Sequence, residues 1–173
     1  IESVPDGDNG DHWRQSTTRA VYGLTGTLNN AGSTIKRTSG DGSVITYTYQ
    51  TIDGTNYAYF TTDGSGAYDK LVNASGVWTW TDGDTQSYET YGTDGRITLA
   101  ANVLGQALTF TYSNGNLDKV TTQDGSFEQY TWVGGNITQI VTGYKDLVSS
   151  TDKTLTRTYY GYNNNRLSTV TTD

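Results

Sequence analysis

Phe110-Thr111-Tyr112-Ser113-Asn114-Gly115-Asn116-Leu117-Asp118-Lys119-Val120-Thr121-Thr122 holds an aromatic strand, a tight turn and an aliphatic strand in sequence. Alternation puts Phe110 and Tyr112 on one face of the first strand and Thr111 on the other. Asn114-Gly115 between alternating runs signals a hairpin, because a type I′ turn needs positive φ at both central residues. The plan recurs along the chain. Gly95-Arg96-Ile97, Gly115-Asn116-Leu117 and Gly135-Asn136-Ile137 are spaced by 20 residues, and Asn165-Arg166-Leu167 follows 30 further on. Lys145 to Thr154 reads as a polar ten-residue insertion that accounts for the longer step. Aromatic pairs stand before three of these turns, Phe110/Tyr112, Tyr130/Trp132 and Tyr160/Tyr162. Tyr91 holds a similar place before the first, displaced by one residue. Three positions after each Leu or Ile comes Ala100, Val120, Ile140 or Val170. Each unit must stack on its neighbours to bury its apolar face.

The rest of the chain speaks the same language. Ile45-Thr46-Tyr47-Thr48-Tyr49 alternates like the strand at 108–112, and Asp-Gly turns stand at 41, 53, 63, 82, 94 and 124. Of 173 residues, 21 are Gly, 14 are Tyr and one is Pro, and 17% are charged. Thr, Tyr, Val, Ile and Trp fit a pleated, half-buried surface, and no ten-residue stretch carries a helical apolar period. The class is all-β: an antiparallel ribbon or curved sheet of repeated hairpin units, with about 10 to 13 short strands from segment length and turn number. A mean hydropathy of −0.61 would suit a disordered chain, but 12% aromatics and strong periodicity oppose that. Residues 1–86 read as an irregular β run-in and 87–173 as the regular repeats, in one continuous β domain.

A formal charge of −7 argues against a nucleic-acid groove or an anionic membrane as partner. No apolar run is long enough for a membrane helix. Cys is absent and His12 is the only histidine, which excludes a Cys nucleophile and a multi-His metal site. A Ser-His-Asp arrangement would have to use His12, in a Gly/Asp-rich stretch where an exposed or locally bonded imidazole is the plainer reading. Carboxylates could supply a glycosidase pair, but most are Asp in Asp-Gly turns, where the side chain bonds its own backbone. Asp6, Asp8 and Asp11 are a weak calcium-loop candidate, since the Gly falls one place early and Thr17 stands where a closing Glu is needed. Trp78, Trp80 and Trp132 are candidates for stacking on a glycan, set against core packing. Asn73-Ala-Ser75 and Asn136-Ile-Thr138 match the N-glycosylation pattern.

The repeats resemble the RHS (YD-repeat) family, whose units run Tyr-x-Tyr, short turn, Gly-Arg-Leu and a Val-Thr strand. Residues 110–122 and Tyr160-Gly-Tyr162-Asn-Asn-Asn165-Arg166-Leu167-Ser-Thr-Val170-Thr carry the likeness, which spans Tyr88 to Asp173. Tyr112, Gly115, Leu117, Tyr130, Trp132, Gly135, Ile137, Tyr162, Arg166 and Leu167 define it. The family's Tyr-Asp dipeptide is replaced by Tyr112-Ser113, Trp132-Val133 and Tyr162-Asn163, and two of four steps keep the Arg. The resemblance implies a β-ribbon that winds into an extracellular shell, enclosing a C-terminal toxin in bacterial members, or forms surface modules. The chain is therefore expected to be a secreted structural module, not an enzyme and without a cofactor. A glycan-binding adhesion module is the alternative. The end at Val170-Thr-Thr-Asp173 falls inside the repeat pattern. Its expected partners are neighbouring repeats of a longer chain, or further copies added edge to edge.

Overall fold

The computed structural model describes residues 18–51, 53–61 and 68–173. It divides into two compact units, with the boundary between Gly105 and Gln106. The first holds β1 (Ala20–Thr25), β2 (Thr34–Thr38), β3 (Val44–Thr51), β4 (Tyr57–Phe60), β5 (Lys70–Ala74), β6 (Val77–Thr81), β7 (Tyr88–Tyr91) and β8 (Ile97–Ala101). The second holds β9 (Ala107–Ser113), β10 (Asn116–Thr122), β11 (Ser126–Val133), β12 (Asn136–Lys145), β13 (Asp152–Asn163) and β14 (Arg166–Thr172). Within each unit every strand pairs antiparallel with the next in sequence, and no helix occurs among the described residues. The all-β, antiparallel expectation holds. The described residues hold fourteen strands, more than the expected range. One uncounted turn is Ser75-Gly76, with φ of 52° and 86°, which joins β5 to β6 without an Asn-Gly or Asp-Gly signature.

Two turn classes explain the chain's punctuation. Asn114-Gly115, Gly134-Gly135 and Asn164-Asn165 have positive φ at both positions, as two-residue type I′ turns require. The described Asp-Gly turns differ from the expected type, and Asp63-Gly64 lies outside the described residues. In Ser39–Gly42 only Gly42 is left-handed, at φ 83°, and its N–H donates to the Ser39 carbonyl at 3.0 Å. Gly92–Gly95 repeats this at 2.9 Å, and Thr122–Gly125 at 3.1 Å. These are three-residue loops, in which the Asp stays right-handed and frees its carboxylate to cap the turn. The extra residue in the 92–95 turn is why Tyr91 stands one place further from its step than Tyr112, Trp132 or Tyr162.

The register exposes a second regularity. Tyr91, Tyr112, Trp132 and Tyr162 pair with Ile97, Leu117, Ile137 and Leu167. In every one of the four, the register shifts by one residue directly after that pair, leaving a bulge at Thr98, Asp118, Thr138 or Ser168. A spacing of three along a strand has the wrong parity for two residues to share a face. The bulge restores it, and Val120, Ile140 and Val170 then pair with Phe110, Tyr130 and Tyr160. Of the apparent insertion at 145–154, residues 146–151 form a loop and the rest is strand. The insertion lengthens the β12–β13 hairpin, whose ladder continues through Gly143–Thr154 to Lys145–Asp152.

The first unit is rolled rather than flat. Period-2 alternation and register put Ile35, Arg37, Tyr47, Tyr59, Leu71, Trp78, Trp80, Glu89, Tyr91 and Ile97 on one face. Arg37 on β2 and Glu89 on β7 lie five strand steps apart, about 24 Å in a flat sheet. Their side chains meet at 2.7 Å. The roll also returns β1 to the β7–β8 turn: Ala20 bridges Arg96, Val21 N–H donates to Gly95 O at 2.8 Å, and Ile97 N–H to Arg19 O at 3.3 Å. Tyr47, Tyr59, Tyr91, Ile35, Leu71 and Ile97 fill the interior with essentially no exposure. In the second unit Phe110, Leu117, Val120, Phe127, Tyr130 and Ile137 are buried.

Candidate functional site

Rolling the first unit gathers Arg37, Glu89 and Tyr91 into an interior cluster, with Arg19 at its border. Glu89 and Tyr91 alternate on β7, so both point inward, and Ile35-x-Arg37 does the same on β2. Arg37 donates to Glu89 Oε2 from Nη2 at 2.7 Å and Nε at 3.2 Å, and from Nε to the Tyr91 hydroxyl at 2.8 Å. Tyr91 donates its hydroxyl to the same Oε2, and Arg19 donates to Oε1. The Arg37 guanidinium lies 3.6 Å over the Trp80 ring, whose Nε1 donates to the Tyr47 hydroxyl at 3.0 Å. Burial alone would lower the Arg37 pKa. The Glu89 carboxylate and the hydrogen bonds to Glu89 and Tyr91 outweigh it, so the guanidinium is held charged more firmly than usual. Burial raises the Tyr91 hydroxyl well above its ordinary range, which keeps it a donor to the carboxylate. Burial also raises the Asp69 carboxyl, against the pull of the Gly83 N–H bonded to it at 2.8 Å.

Every polar atom of this cluster is spoken for. No buried side-chain nitrogen or oxygen among the described residues lacks a partner. A reacting group would need an unoccupied position beside a nucleophile or base, and here donors and acceptors face only each other. The arrangement can fix which strands meet across the roll. The sequence expectations missed it, although parity could have found it: Arg37 and Glu89 occupy inward positions in strands whose other inward residues are apolar.

The tryptophans are drawn into packing. Trp78 is 8% exposed, edge-on to Tyr59 with ring centres 5.1 Å apart, so it offers no open face for a sugar. One face of Trp80 is covered by Arg37. Trp132 is half-buried and donates its Nε1 to the Leu117 carbonyl at 2.8 Å. Tyr162 does the equivalent thing one repeat later, donating its hydroxyl to the Ile137 carbonyl at 2.8 Å. In both cases the second aromatic of a repeat bonds the backbone of the Leu or Ile that opened the preceding aliphatic strand. Tyr130 is buried, Tyr112 half-buried, and Arg166 exposed. Replacing Tyr162 by Phe keeps the ring and removes only the donor. The expected cost is about 1 kcal/mol, read as a lowered urea midpoint at unchanged slope.

The turn carboxylates bond their own loops. Asp41 accepts from Ser43 N–H at 2.9 Å and the Ser39 hydroxyl at 2.6 Å. Asp53 accepts from Thr55 and Asn56 N–H at 2.9 and 2.7 Å, and Asp82 from Asp84 and Thr85 N–H at 3.0 and 2.7 Å. Asp124 and Asp146 follow suit. The Ser39 hydroxyl and Ser43 N–H hold Asp41 down to about 2, and Asp53, Asp82, Asp124 and Asp146 are lowered for the same kind of reason. A lowered folded-state pKa gives stability that is complete above the unfolded value of about 3.9 and lost as pH falls through the folded one. Thermal unfolding followed by circular dichroism should therefore show Tm falling between about pH 4 and pH 2, with Asp69, raised by burial, opposing the trend. An acid-side Tm that stays flat would contradict these caps.

No family model matches the chain, and no curated protein matches it. The remaining site candidates are placed by geometry alone. Asp6, Asp8, Asp11 and His12 lie outside the described residues. Among the described residues no three His, Cys, Asp or Glu side chains gather as a metal site. No helix there is long and apolar enough to cross a membrane. A surface groove of about 500 Å³ runs along Gln106–Leu108 and Thr122–Ser126, where Asp124 is already committed to its own turn.

Proposed function

We propose that the chain is a non-catalytic structural module, a length of wall from an RHS-type extracellular shell or surface filament. The reading is carried by one observation: successive repeats are joined by the same hydrogen bond, from Trp132 to Leu117 and from Tyr162 to Ile137. A stack built this way grows by addition of like units, and each unit needs only its neighbours. The sequential pairing of β9 to β14 and the recurring bulges serve the same end. An interior whose polar groups bond only one another suits a wall better than a reaction site.

Two experiments test it. A second copy of residues 107–126 inserted after Ser126 supplies one more repeat in register. The enlarged chain should fold, with a β-sheet circular dichroism spectrum and a Tm no lower than the parent's. Collapse on insertion would sink the modular reading. For the location, antibody should label intact, unpermeabilised source cells or their medium. Labelling seen only after permeabilisation would overturn the extracellular part.

A further inference from the structure

Equivalent residues of successive repeats are not equally covered. Leu117 is 7% exposed and Ile137 4%, but Leu167 is 46% exposed. Val120 is buried at 8%, Ile140 is half-buried, and Val170 is 56% exposed. The chemistry of these positions is constant, so the difference lies in what covers them. Leu117 and Val120 on β10 are covered by the next aromatic strand, β11, in antiparallel register through Val120–Glu128. Ile137 and Ile140 on β12 are covered by β13 through Ile140–Thr158. In each case the two aromatics follow two and four residues beyond the paired position, at Tyr130/Trp132 and Tyr160/Tyr162. The second ring then reaches the Leu117 or Ile137 carbonyl.

We infer that the outer edge of β14 is a docking surface for an extended strand with a Tyr or Trp pair two residues apart, the strand supplied by a further repeat of the same pattern. The strand runs antiparallel to β14. Its residue opposite Val170 precedes the rings by two and four positions, and the second ring donates to the Leu167 carbonyl. Continuity with two existing interfaces sets both the direction and the register. Strand addition supplies affinity through the backbone, and the paired rings supply specificity. The inference rests on the stacked-repeat reading above.

The probe is a labelled peptide with the sequence of residues 152–163, whose Tyr160 and Tyr162 provide the pair, added to the full chain. Fluorescence anisotropy should show saturable binding, and amide exchange should slow within Arg166–Thr172. A Tyr162→Phe peptide should bind roughly tenfold more weakly, as expected for one lost hydrogen bond. Leu167→Lys/Val170→Lys in the chain should abolish binding while the circular dichroism spectrum stays that of the parent, because both side chains are exposed. Absence of protection at β14 with millimolar peptide, equal binding of both peptides, or unchanged affinity in the lysine variant overturns the inference. So does a dimer formed through β14 itself, seen as peptide-independent protection that rises with protein concentration. If the insertion after Ser126 folds and the peptide fails, the docking surface alone is wrong. If the insertion also collapses, the stacked-repeat reading falls with it.

Discussion

Glu89→Gln should unfold the first unit at markedly lower denaturant while leaving the second nearly untouched. Glu89 receives only donors: Arg19 on Oε1, and Arg37 and Tyr91 on Oε2. An amide in its place must turn an NH₂ toward one of those donors, and it removes the charge that balances Arg37. The side chains of Arg37 and Glu89 are 4% and 6% exposed, so water cannot replace the lost partner. Breaking one side of such a buried pair costs about 3–5 kcal/mol. Arg19, at 28% exposure, can turn toward solvent and adds little. The informative companion is Arg37→Met/Glu89→Leu. Replacing both ions with apolar groups removes the unpaired charge, so the double variant should recover most of the loss. Amide exchange separates the units, with protection lost in Ile35–Thr38 and Tyr88–Tyr91 but retained in β10 to β12. A Glu89→Gln chain as stable as the parent would show that the cluster does not hold the roll.

Gly95→Ala should be the other severe change, for two reasons acting at one atom. Gly95 has φ of +80°, where a Cβ costs about 1–2 kcal/mol. An added Cβ would also stand 2.1 Å from the Val21 carbonyl oxygen, which is backbone and cannot swing away. Relief requires β1 to withdraw, and with it the Val21–Gly95 and Ile97–Arg19 hydrogen bonds. The combined cost should reach about 3–4 kcal/mol, the range seen when several named faults coincide. Gly54→Ala is the control. Its φ is +81° and nothing lies within 4 Å of the new Cβ, so about 1 kcal/mol is expected. Equal losses in the two variants, measured by urea unfolding, would show that the return of β1 onto the β7–β8 turn contributes nothing.

Much of this molecule is legible from local chemistry. The strand at 108–112 and the Asn114-Gly115 turn behave as their alternation and turn residues require, because period-2 patterning and positive φ are properties of a few neighbouring residues. The repeated aromatic–aliphatic pairs were readable too, but the bulges that align them were seen only as an odd spacing of three. A bulge is a defect in pairing between two strands, and one strand's pattern only hints at it. The Asp-Gly turns at 41, 94 and 124 were located correctly and typed wrongly, since their Asp caps a three-residue loop with its carboxylate rather than turning left-handed. The surroundings of the candidate glycan-stacking tryptophans were not legible for a different reason. Trp78 and Trp80 do share a strand face, but sequence cannot say whether that face looks inward.

By itself the sequence determined that these residues form short antiparallel strands and where most of them turn. It did so because those choices are settled within one or two turns of chain. Tertiary structure alone decided that the first unit rolls until Arg37 meets Glu89 and β1 meets Gly95, five or more strands away. It also decided that Trp132 and Tyr162 bond the backbone of the preceding repeat. Such contacts depend on the accumulated twist and bulging of many strands, and the free energy that selects them lies in burial across the whole sheet, not in any single segment.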